Sequence, residues 1–146
     1  MAVVYKSTDL SVAPETAWGV IERFMRADIR AFSFIAENRI EGDLRTVISI
    51  GSGRVQPELN ITVDRDLMYA SYTLLETPEW RATHHHACMR IFDTGDGCCR
   101  LEWITDVAPD SWMSQERRAF IDTLWPELVA TLETGEDAGS DRGGAG

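Results

Sequence analysis

The sequence predicts an α+β fold, a curved antiparallel sheet of about six or seven strands wrapped around one long C-terminal helix, on three observations. Apolar residues alternate with polar ones in short runs through residues 44–107, and the connections between those runs are too short for anything but antiparallel pairing. A strand-like opening followed by a helical segment precedes them. After them, residues 114–133 carry an apolar stripe too wide and bulky for a helix that merely rests on a surface, so it belongs in the concave face of the sheet.

Taken in order, residues 3–12 mix β-branched, aromatic and polar residues and read as a strand. Pro14 suits a first helical turn, and Trp18, Ile21, Phe24 and Met25 then recur at helical spacing with Glu22, Arg23 and Arg26 between them. The aromatic-rich stretch 29–35 reads as a brief second helix. Strand-like runs follow at 44–50, 56–63, 68–75, 82–92 and 99–107, separated by Gly51-Ser52-Gly53, Asp64-Arg65-Asp66, Thr77-Pro78 and Thr94-Gly95-Asp96-Gly97. In the last helix Phe120, Leu124, Leu128 and Leu132 stand at i+4 steps beside Ile121, Trp125 and Val129, with Asp110, Ser111 and Ser114 as possible caps. Residues 134–146 lack any large apolar side chain and read as a disordered tail to a single domain spanning 1–133.

With 146 residues, 44% of them hydrophobic, the chain supplies one core. A formal charge of −10 speaks against nucleic acid as a partner, because phosphate binding needs clustered Lys and Arg. No apolar run reaches the roughly 20 residues of a membrane span, and the first ten residues lack a signal-peptide pattern, so a cytoplasmic protein is expected. Cys88, Cys98 and Cys99 are an odd, badly spaced set for disulfides, and no CxxC spacing supports structural zinc. His84 and His86 share a strand face and form a two-ligand set at most, so no metal and no other cofactor is expected.

Four short stretches carry a family likeness: Val12-Ala13-Pro14-Glu15-Thr16-Ala17-Trp18 at the first helix, Ile40-Glu41-Gly42-Asp43 entering the sheet, Ala70-Ser71-Tyr72 in a middle strand, and Leu101-Glu102-Trp103 near the last strand. With the element order, they make the chain resemble the START/Bet v 1-like (SRPBCC) superfamily and its polyketide cyclase/dehydrase-like branch. The resemblance implies a helix-grip fold with two short helices after the first strand and a large apolar cavity. It leaves activity open, since carriers, sensors and enzymes share that fold.

The Gly-rich turn at 94–97 sets a register. Pairing Phe92 with Cys98 puts Ile91 opposite Cys99, Met89 opposite Leu101, Ala87 opposite Trp103 and His85 opposite Thr105, an apolar face that points inward. Arg90, Cys88, His86 and His84 take the polar outer face, so of three consecutive histidines His85 alone looks in. In the neighbouring strand Tyr72 looks in as well. The strand at 56–63 stays open: its own alternation turns Leu59, Ile61 and Val63 inward, whereas the resemblance turns Glu58 and Asn60 inward, making Glu58 a buried carboxylate with a raised pKa.

The expected cavity is lined by Phe32, Phe34, Tyr72, His85, Met89, Trp103, Thr105, Trp125 and Leu128, with Trp80 and Trp112 at its entrance. The expected function is binding of a small hydrophobic molecule such as a lipid or polyketide, by a monomer or homodimer. The alternative is a cofactor-free cyclase, aromatase or dehydratase, a lyase or isomerase, in which His85 with Tyr72 or Glu58 moves protons. His85 is either that acid/base or a hydrogen-bonded wall residue that orients a ligand.

Overall fold

A computed structural model describes residues 1–137 of the chain. Seven antiparallel strands form one sheet: β1 (Ala2–Leu10), β2 (Ile35–Glu41), β3 (Leu44–Ser49), β4 (Val55–Asp64), β5 (Tyr69–Leu74), β6 (His84–Asp93) and β7 (Cys99–Ala108). Their order across the sheet is β1-β7-β6-β5-β4-β3-β2, so β2 to β7 form an unbroken meander and β1 closes against β7. Helix α1 (Pro14–Met25) follows β1, and α2 (Gln115–Thr134) follows β7. This is the α+β helix-grip architecture.

Helix α1 starts with Pro14 at its first turn, where the missing N–H costs nothing. It buries Trp18, Ile21, Phe24 and Met25, each contributing about 1.5–3 kcal/mol by leaving water. Helix α2 begins at Ser114, whose hydroxyl accepts the Arg117 N–H at 3.1 Å, and it continues through Pro126 to the left-handed Gly135. It packs against α1 and β1, burying Ile121, Leu124, Leu128 and Leu132. The core lies between these helices and the inner sheet face of Ala70, Ala87, Met89, Ile91, Leu101 and Val107.

Four expectations need correction. The stretch 29–35 forms no second helix. Ala27 and Ala31 adopt positive φ (60° and 66°), and the N–H groups that a helix would use go instead to side chains of the C-terminal region. Arg30 and Ala31 donate to the Asp137 carboxylate at 2.9 and 2.7 Å, and Ser33 donates to Glu127 Oε1 at 3.2 Å. The same bonds correct the domain boundary at 133: Thr134 is helical and Asp137 is buried, so the docked chain reaches at least Asp137. The rest of the expected tail, 138–146, lies outside the described residues.

The sequence predicts no strand where β2 forms. Its polar sequence hides an edge strand whose Asn38 amide donates inward to the Ile29 and Phe24 carbonyls at 3.0 and 3.4 Å. Finally, the β6–β7 register is two residues from that inferred: His85 faces Val107, Met89 faces Trp103 and Ile91 faces Leu101. The turn moves along the chain because Asp93 Oδ1 accepts the Gly95 N–H and Asp96 Oδ1 accepts the Cys98 N–H, with Gly95 and Gly97 at φ 83° and 82°. A slip of two preserves side-chain parity, so every residue keeps its assigned face.

Candidate functional site

Between α2 and the inner face of the sheet lies a cavity of about 390 Å³. The parity of β5 to β7 turns Tyr72, His85, Trp103, Thr105 and Val107 into it, and α2 supplies Arg117, Phe120, Ile121 and Leu124 from the opposite side. Phe24 of α1 and Phe32 and Phe34 of the following loop close one end. Their rings form a continuous aromatic wall: Phe24 meets Phe32 edge-on at 5.8 Å, Phe32 stacks on Phe34 at 6.1 Å and on Trp103 at 6.4 Å, and Phe34 meets Phe120 at 5.1 Å.

Polar groups converge on the other side. His85 Nδ1 accepts the Leu74 backbone N–H at 2.9 Å, which fixes the neutral tautomer protonated on Nε2. Burial, with the nearby Arg117 cation, lowers its pKa to about 3. The ring is wedged between Tyr72 at 6.1 Å and Trp80 at 5.8 Å. Burial, reinforced by the Glu58 charge, pushes the Tyr72 phenol well above its ordinary range, so it stays protonated.

Glu58 and Arg45 form a cross-strand pair between β4 and β3, joined by an ion pair at 2.9 Å. Arg45 is 0% exposed and Glu58 8%. The guanidinium sits between the Phe24 ring at 4.4 Å and the Tyr72 ring at 5.2 Å, and its Nε donates to Asn60 Oδ1 at 3.3 Å. Asn60 in turn donates to the Met25 carbonyl at 2.7 Å, tying β4 to the end of α1. Burial raises the Glu58 pKa while Arg45 pulls against it. The open orientation of β4 is thus settled: Glu58 and Asn60 turn inward, and Leu59, Ile61 and Val63 are exposed.

Of the residues anticipated from sequence, the wall includes Phe32, Phe34, Tyr72, His85, Trp103, Thr105 and Glu58, and Trp80. Met89 and Leu128 belong to the solid core, and Trp125 stacks behind Trp103 at 6.4 Å, so none of the three reaches the wall. Trp112 packs on Trp80 at 5.5 Å without lining the cavity. Sequence reasoning missed Arg45, Arg54, Gln56 and Arg117. For Arg117 a signal existed, a cation in the first turn after a serine cap, where acids are favoured. His84 and His86 face outward, with His84 Nε2 3.6 Å from Asp106. Among the described residues no three His, Cys, Asp or Glu side chains converge as a metal-ligand set, and no helix is long and apolar enough to cross a membrane.

No family model matches the chain, and no curated protein sequence does. Solved structures do. XoxI from Bacillus cereus superposes with a TM-score of 0.73 at 16% identity, over 92% of this chain and 95% of that one. Truncated norcoclaurine synthase from Thalictrum flavum gives 0.71 at 12% identity, over 93% and 95%. A protein from Nitrosospira multiformis gives 0.69 at 17%, over 96% and 99%. The norcoclaurine synthase has also been solved in complex with dopamine and hydroxybenzaldehyde. At these identities the likeness establishes the fold alone.

Proposed function

From the premise of a Bet v 1-like, helix-grip fold, we propose that the chain binds a small, largely apolar molecule in the cavity between its sheet and α2. The observation that carries this reading is the space itself. A volume of about 390 Å³ with aromatic walls and a few convergent polar groups falls within the roughly 300–1,000 Å³ of small-molecule sites. Phe32, Phe34 and Trp103 supply apolar contact, while the His85 Nε2–H and the Tyr72 hydroxyl orient a polar end.

The enzymatic alternative places the same His85, Tyr72 and Glu58 around one cavity, but their protonation favours binding. A histidine whose pKa lies near 3 is a weak base at neutral pH, Glu58 is committed to Arg45, and Tyr72 holds its proton tightly. Native mass spectrometry of freshly purified protein tests the reading, with a co-purified small molecule as the expected result. If the protein comes out empty and a panel of apolar fluorescent probes fails to bind, the reading falls.

A further inference from the structure

The polar side of the cavity carries two guanidinium groups and one carboxylate. Arg117, in the first turn of α2, and Arg54, in the β3–β4 connection, both line it. Neither makes an ion pair among the described residues. The carboxylate on the wall, Glu58, already serves Arg45. Glu76 and Glu79 share a shallow groove with Arg54 on its outer side, and neither pairs with it. Two further donors stand nearby: the His85 Nε2–H, and the Trp80 indole N–H, which is buried with no acceptor among the described residues.

Arg117 and Arg54 lack a carboxylate partner among the described residues. Arg117 is half-buried, stacked over the Trp80 ring at 4.1 Å, and both burial and the Arg54 charge lower its pKa. A cation in the first turn also opposes the helix dipole. The chain holds 24 acidic residues against 14 basic ones, so two neighbouring arginines without an ion pair among the described residues are not forced by composition. Stacking on Trp80 gives Arg117 a packing partner but no carboxylate for its N–H donors among the described residues, and a local rule broken in this way marks a functional position.

We infer that the molecule held in the cavity is an amphipathic anion, an apolar ring-sized body among Phe24, Phe32, Phe34 and Trp103 with a carboxylate head held by Arg117 and Arg54. The planar guanidinium matches a carboxylate through paired N–H donors, and the His85 and Trp80 N–H groups add donors without adding charge. This inference rests on the cavity reading above and deepens it by fixing the charge class of the ligand.

Isothermal titration with 1-naphthaleneacetate and with its uncharged methyl ester tests it. The intact protein should prefer the acid by at least about tenfold, and that preference should fade as salt is raised, because part of the Arg54 field is solvent-screened. Arg117→Gln and Arg54→Gln should each cut the acid-to-ester ratio to within about threefold. Arg54 sits on an exposed turn, so its variant carries the comparison should Arg117→Gln fail to melt cooperatively. Equal binding of both probes to the intact protein, or a ratio that survives both substitutions, overturns the anion inference and leaves the cavity reading standing. Binding of neither probe overturns this inference, and the cavity reading falls with it only where the panel of apolar fluorescent probes fails as well.

Discussion

The Leu74 backbone N–H donates to His85 Nδ1 at 2.9 Å, so a strand neighbour decides which histidine nitrogen faces the cavity. Protonating Nδ1 would break that bond and place a cation beside Arg117. Nitrogen-resolved NMR of the histidines should therefore show His85 as the neutral Nε2–H form down to about pH 5, where an ordinary imidazole is largely charged. A His85 resonance titrating near pH 6.5 would contradict the geometry.

The same bond sets a pH dependence of stability. The folded pKa of about 3 lies below the unfolded value near 6.5, so on acidification the unfolded chain takes up the proton first. The His85 contribution is complete above about pH 6.5 and is lost progressively as pH falls toward 3. Glu58, with its pKa raised, works in the opposite sense and gains proton-linked stability on acidification. The difference between the intact protein and His85→Gln isolates the histidine: between pH 7 and 4 the intact protein should lose more melting temperature than the variant. Parallel pH profiles would show that His85 ionises normally.

Arg45 and Glu58 are a buried ion pair, and such pairs fail asymmetrically. Glu58→Leu alone should destabilise by about 3–5 kcal/mol, because it leaves the Arg45 charge uncompensated in the core. Replacing both, as Arg45→Met with Glu58→Leu, should recover most of that loss. Urea unfolding of the two variants measures the coupling. A double variant as unstable as the single one would mean that the Arg45–Asn60–Met25 hydrogen bonds, rather than the charge pair, hold β3 and β4 to α1.

Asp137 holds the loop after α1 by accepting the Arg30 and Ala31 N–H groups. Asp137→Ala leaves the buried Ala31 amide without that acceptor and should cost about 1–3 kcal/mol. Thermal melts of Asp137→Ala check this, and an unchanged transition would show that the loop keeps its shape without the aspartate.

Much of this fold was legible because periodicity survives small errors. The turn at 94–97 predicts a β6–β7 register two residues from the observed one, yet His85, Met89 and Trp103 keep their faces, since strand parity has a period of two. The β3–β4 pair defeated the same logic. There Leu44 opposes Leu59 on the outer face and Arg45 opposes Glu58 inside, which inverts the rule that apolar residues turn inward. An inside ion pair is visible in sequence only once the register of two strands is known. Arg54 and Arg117 were hidden for a related reason: they come from a turn and a helix far apart in the chain, and only the closed fold brings both to one cavity.

The three consecutive histidines offer the most direct comparison of position with function. His85 lines the cavity, while His84 and His86 stand on the outer face of β6, where His84 meets Asp106 at 3.6 Å. If the Nε2–H of His85 donates to a ligand, His85→Ala should weaken binding of an apolar probe with a polar end by about 1–3 kcal/mol, and His84→Ala and His86→Ala should change it little. Titration of one fluorescent probe against all three variants gives the answer. Were the protein to turn over a substrate, His85→Ala should also lower the rate by roughly 10² to 10⁴-fold, whereas a carrier shows only the binding loss. Equal losses at all three positions, or a loss at His84 and His86 with none at His85, would place the ligand somewhere other than this cavity.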